Sequence, residues 1–128
     1  MSMKVFNKLF QAVKDEKTDA VATLLSNGED VNARGIYGET PIYWAIKQND
    51  IKTVKVLVKH GAELNWQDKD GNAPLHVASG RGRIEILKLL LANGARKNLK
   101  SCNGMTPLDM AIYERDRRVK IIALLKKN

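Results

Sequence analysis

A single cysteine, Cys102, in 128 residues excludes an internal disulfide, and with only two histidines there is no cluster from which to build a zinc site. The fold has to hold without covalent or metal staples, and no metal or cofactor is expected. Aromatic residues make up only 5% of the chain, so the core must come from Leu, Ile, Val and Ala, a set that favours helices. Long apolar runs are also lacking. Stretches such as "LLLA" at 89–92 fall far short of the ~20 residues that span a bilayer. The opening "MSMKVFNKLFQAVKDEK" has polar residues where a secretory signal carries a solid apolar block, so no membrane partner and a cytoplasmic location are expected. No G-x-x-x-x-G-K-[ST] phosphate loop is present, and "SGRGR" at 79–83 is read as a turn between two helices.

What the sequence does contain is a period. Gly38, Gly71 and Gly104 stand 33 residues apart, as do Pro41, Pro74 and Pro107. Ala12, Ala45, Ala78 and Ala111 keep the same step, and so do Leu24, Leu57 and Leu90, then Gly28, Gly61 and Gly94, then Asn32, Asn65 and Asn98. Such regularity marks a repeat array, in which units too small to fold alone bury their apolar faces on their neighbours. Within a unit, Thr40 is placed to cap a helix that starts at Pro41, where a missing N–H costs nothing. That helix stops near Asn49. A second helix follows with Ile51, Val54, Leu57 and Val58 on one stripe, and Gly61 suits a left-handed C-terminal cap. The recurrent alanine fits a place where helices approach closely.

The stretches "GETPIYWA…IKTVKVLVKHGAELN", "GNAPLHVA…RIEILKLLLANGARKN" and "GMTPLDMA…VKIIALL" resemble the ankyrin repeat. The resemblance covers nearly the whole chain. It implies an all-α solenoid of helix-turn-helix units joined by β-hairpin-like loops, forming one domain over 1–128. Repeats are expected at approximately 1–37, an N-terminal cap without the G-x-T-P turn, then 38–70, 71–103 and 104–128, a C-terminal cap. The interval from Ala111 to Val119 is longer than that from Ala78 to Ile84. A longer loop is therefore expected within "ERDRR".

His76 shares its column with Tyr43 and Asp109, three different chemistries, so it reads as scaffold rather than as a base or ligand. In the family this histidine usually hydrogen-bonds around the helix start and ties adjacent units. Ala73 replaces the threonine that normally accompanies it, whereas Thr106 and Asp109 form a T-x-x-D capping box. His60 ends an outer helix, where a basic side chain suits the helix dipole. Cys102 is read as a loop thiol with no histidine near it in sequence. Catalysis is not expected.

Function then rests on surface residues that the scaffold does not need. The resemblance implies that a partner, usually a protein, binds a concave face of hairpin tips and first helices. In the first hairpin these are Arg34, Ile36, Tyr37 and Glu39; Ile36 and Tyr37 are more apolar than a solvated turn requires. The second offers Trp66, Lys69, Asp70 and Asn72, and the third Asn103 and Met105. Lys47, Gln48, Arg81 and Tyr113 would continue the surface along the first helices. Tyr37, Trp66 and Arg81 are the natural anchors, since aromatic and arginine side chains carry much of interface energy. For Trp66, packing against the neighbouring hairpin is the competing reading. Trp44, beside Ala45, is read as a partly buried inter-repeat residue.

Charge is lopsided. Residues 1–64 hold 9 basic and 8 acidic side chains, whereas 65–128 hold 13 and 6, for a net charge of +8 and a pI near 9.7. A protein with an acidic surface is the expected partner, and the chain is expected to be monomeric. Nucleic acid ranks lower, because no aromatic interleaving marks a base-stacking platform. A stand-alone inhibitor or immunity-type regulator that covers an enzyme or toxin is the alternative role.

Overall fold

The computed structural model describes residues 7–113 and 118–127. Helices alternate with loops throughout: α1 (Lys8–Lys14), α2 (Thr18–Ser26), α3 (Pro41–Lys47), α4 (Ile51–Lys59), α5 (Pro74–Arg81), α6 (Ile84–Ala92), α7 (Pro107–Tyr113) and α8 (Arg118–Lys126). No strand occurs among the described residues. The chain forms two compact units, 1–63 and 64–128. In the first, α1 pairs with α2 and α3 with α4, and the pairs stack through α1 on α3 and α2 on α4. The second repeats the arrangement, with α5 on α7 and α6 on α8.

Helices of two turns do not persist alone in water, so local caps and stacking must supply what propensity cannot. Asn7 caps α1, its Oδ1 accepting the Phe10 N–H at 3.1 Å. Asp50 caps α4, accepting the Thr53 N–H at 3.3 Å and the Thr53 hydroxyl at 2.7 Å. Pro41, Pro74 and Pro107 each occupy the first helical position, as their spacing predicts. Just past α4, Gly61 has φ +91°, a left-handed conformation that side chains resist. Ala12, Ala45, Ala78 and Ala111 are all buried on the stacked helices α1, α3, α5 and α7. A larger side chain there would force the pairs apart. Val54, Leu57, Ile86, Leu87 and Leu90 fill the cores from the second helices, together with Leu9, Ile42, Ile46 and Leu75 from the first.

The loops share one device. Gly35 donates to the Glu39 carbonyl at 2.8 Å, Asp68 to Asn72 at 3.0 Å and Ser101 to Met105 at 2.8 Å, three bonds at the 33-residue step. Each closes a hairpin-like turn without strand pairing. Behind the turns, Asn32 accepts the Glu63 N–H at 2.8 Å and donates to the Gly61 carbonyl at 3.4 Å. Asn65 does the same for Arg96 and Gly94, at 2.8 and 3.3 Å. This asparagine column is the lateral tie between successive repeats within each unit.

Two local expectations change. Thr40 has the extended backbone of an N-cap, but its hydroxyl makes no capping bond, because the Tyr43 N–H turns to the Thr40 carbonyl at 3.1 Å. The turn expected over 79–83 shrinks to Gly82 and Arg83. Ser79, Gly80 and Arg81 complete the last turn of α5, and Gly82 at φ +68° ends it. The longer loop expected in "ERDRR" falls on residues 114–117, outside the described residues; α7 ends at Tyr113 and α8 starts at Arg118.

Candidate functional site

The first unit gathers Arg34, Ile36, Tyr37 and Glu39 in one hairpin and Lys47 and Gln48 at the end of α3. Ile36 is 78% exposed and Tyr37 63%, on a chain whose other large apolar side chains are mostly covered. A turn needs no such side chains, and their exposure costs hydration free energy that only a contact would recover. Glu39 has an internal task. Its carboxylate accepts the Tyr37 N–H at 2.9 Å and fills the space that a side chain at position 35 would take, so any larger residue there would have to push the Glu39 carboxylate aside. In the second loop that job falls to Asp68, in the Gly35 column, and in the third the same column's Ser101 accepts a later N–H. Asp68 Oδ1 accepts from Asp70 and Asn72 at 2.9 and 3.0 Å, and Ser101 Oγ accepts from Met105 at 3.3 Å. Gln48 is likewise half-buried, donating to the Lys14 carbonyl at 2.6 Å.

Beside that hairpin, an open groove of about 520 Å³ runs between α1, the 34–39 loop and α3. Trp44 lines it with its ring edge-on to Tyr43, the centroids 5.3 Å apart. Lys14 and Lys47 place their ammonium groups 4.4 and 4.8 Å from the Trp44 ring centre. Cations over an indole face are held by the ring quadrupole. The indole N–H is buried and meets no acceptor. Arg34 at the groove's rim reaches Glu63 at 3.5 Å on the surface, a contact of small energetic weight.

In the second unit, Lys69, Asp70, Arg81 and Asn103 are exposed, while Trp66, Asn72 and Met105 are half-buried. The Tyr113 side chain lies outside the described residues. Two hairpins are joined here, the Cys102 N–H donating to the Asp70 carbonyl at 2.9 Å and the Cys102 thiol lying 3.6 Å from the Lys69 carbonyl. Gln67 bridges the same loops through Gly71 and Lys100, both at 2.8 Å. A Cβ at Gly71 would sit 2.5 Å from the Cys102 nitrogen, so glycine is needed for the approach.

His76 is scaffold. Its Nδ1 accepts the Ala73 N–H at 3.0 Å, which fixes the proton on Nε2, and Nε2–H donates to the Met105 carbonyl at 2.8 Å in the next repeat. The ring thus closes half a capping box that the Ala73 methyl cannot complete, and ties α5 to the following hairpin. Burial lowers its pKa below the ordinary 6.5, against smaller upward pulls from the Met105 and Leu99 carbonyls and Asp68. A neutral imidazole with both nitrogens engaged has no lone pair to offer a metal or substrate. At the neighbouring repeat, Thr106 and Asp109 form the full box, at 3.0 and 3.2 Å. His60 caps α4 with Nδ1 3.0 Å from the Val56 carbonyl.

Among the described residues, no group of three or more His, Cys, Asp or Glu is placed to hold a metal ion, and no helix is long and apolar enough to cross a membrane. The sequence reading missed the internal duties of Glu39, Gln48 and the asparagine column. Only the last had a visible signal, its 33-residue period.

Comparison with known proteins places the repeat pattern in a family. A family model described as ankyrin repeats (3 copies) matches residues 9–101 and, in an overlapping match, residues 61–128. No curated protein matches the chain.

Proposed function

Because the chain belongs to the ankyrin-repeat family, whose repeats are in general protein–protein interaction modules and typically non-enzymatic, we propose that it is a non-catalytic binding module for a partner protein. Hairpin tips and first helices supply the contact residues: Ile36, Tyr37, Arg34 and Lys47 in the first unit, and Trp66, Lys69, Asp70, Arg81 and Asn103 in the second. The observation that carries this reading is the pair Ile36 and Tyr37, adjacent, large, apolar and mostly exposed at a loop tip. Such side chains become anchors when a partner excludes water around them. Glu39 and Gln48 support the surface from within rather than meeting the partner. The partner's contact face is acidic, to complement the net +8 of this chain.

The test is capture on the immobilised full chain from a lysate of the source cells, with and without nuclease. Retention of a protein after nuclease treatment, and its loss on combining Tyr37→Ala with Trp66→Ala, is the expected result. If that double variant holds the partner as wild type does while charge reversal at Arg117 and Arg118 releases it, the hairpin surface is not the site.

A further inference from the structure

The groove beside Trp44 has a chemistry more specific than a general contact surface. Its lining includes the apolar side chains of Phe10, Ile36 and Trp44 together with the basic Lys14 and Arg34. Lys14 is exposed, lies over the indole and is in no ion pair among the described residues. Glu39, the one carboxylate in the lining, is turned inward to the Tyr37 N–H. The groove therefore offers positive charge beside apolar surface. A group bearing a carboxylate and an aliphatic neighbour meets both needs: the anion pairs with the Lys14 ammonium, and the aliphatic side chain covers Ile36 and Phe10.

Resting on the binding-module reading, the geometry points to this groove as the seat of an acidic–aliphatic peptide segment of the partner, a glutamate or aspartate next to a leucine-like residue. The segment is held by Lys14 against the apolar side chains of Phe10, Ile36 and Trp44. The chain's own residues 1–6, "MSMKVF", contain a lysine and no Asp or Glu, so their side chains do not have the chemistry of this segment.

The experiment follows the indole N–H signal of Trp44 by NMR in the full ¹⁵N-labelled chain, assigned with Trp66→Phe. The probes are an acetylated, amidated hexapeptide alternating glutamate and leucine and its glutamine–leucine counterpart. The glutamate peptide is expected to shift the Trp44 signal saturably, with the glutamine peptide at least roughly tenfold weaker. Lys14→Gln should reduce the glutamate peptide to the level of the glutamine one, whereas Lys55→Gln on the exposed face of α4 should leave it unchanged. Equal binding of the two peptides, indifference to Lys14→Gln, or no shift at all overturns the proposal. So does a shift of the same signal produced by deleting residues 2–6 alone, which makes the chain's own segment the occupant. A captured partner that is lost on Tyr37→Ala with Trp66→Ala yet indifferent to Lys14→Gln leaves the module reading standing and removes this one.

Discussion

At the scale of single residues, His76 shows how a polar group can be worth more to the fold than an apolar one. Its ring satisfies the Ala73 N–H and the Met105 carbonyl; His76→Leu would leave both without partners. Each buried unsatisfied group costs about 1–3 kcal/mol, so the variant should lose on the order of 3 kcal/mol in urea denaturation at pH 7.5. The same site predicts a pH dependence. The unfolded chain takes up the proton near 6.5 and the folded chain only at a lower pH, so the unfolded state binds more protons in the interval between. Stability is therefore full above about 6.5 and is lost as pH falls from there to the lowered folded-state value. His76→Leu should flatten that part of the profile; an unchanged slope would place its origin elsewhere. Ser79 is the opposite case. It is buried with no partner for its hydroxyl, in a column that otherwise holds Val13, Ile46 and Ile112. Ser79→Ala should stabilise the chain by about 1 kcal/mol, read as a higher denaturation midpoint. The scaffold role of His76 was legible in the sequence, because its column tolerates tyrosine and aspartate. Its two acceptor and donor partners were not, since Met105 comes within reach only once the repeats are stacked.

At the scale of helices and loops, the 33-residue period located all four first helices and the glycine stops, because caps, proline positions and apolar stripes are local. Stacking energies are not local, and one leucine column shows it. Leu57 and Leu90 are fully buried, whereas Leu24, in the same column, is half-buried on α2. Truncation of a buried leucine costs about 2–5 kcal/mol, set by lost transfer energy and the cavity left behind. Leu57→Ala and Leu90→Ala should each lose that amount in chemical denaturation, and Leu24→Ala less than half as much. Equal losses at the three positions would mean that burial in the stack does not govern the core. The loops carried a similar hidden duty. Nothing in "RGIYGE" announces that Glu39 folds inward, because the cue is an absence, Gly35 standing where the other loops have Asp68 and Ser101. That absence gains meaning only when the three turns are seen to close with the same bond.

At the scale of the whole molecule, charge decides more than shape. The chain carries 22 basic and 14 acidic side chains, and the surplus is concentrated in residues 65–128, with 13 against 6. The ion pairs Arg34–Glu63 and Lys88–Glu85 are both well exposed, so they do little to anchor the fold. A positive field of this kind steers an acidic partner during diffusion, and salt screens it over about 8 Å at physiological ionic strength. The consequence separates two quantities. Association with the proposed acidic partner, followed by stopped flow or surface capture, should slow by an order of magnitude or more between roughly 20 and 500 mM salt. Dissociation, governed by the apolar contacts of Ile36 and Tyr37, should change far less, and Tyr37→Ala should speed it while leaving the salt dependence of association intact. An association rate indifferent to salt would show that the basic excess is a solvated face with no part in recognition.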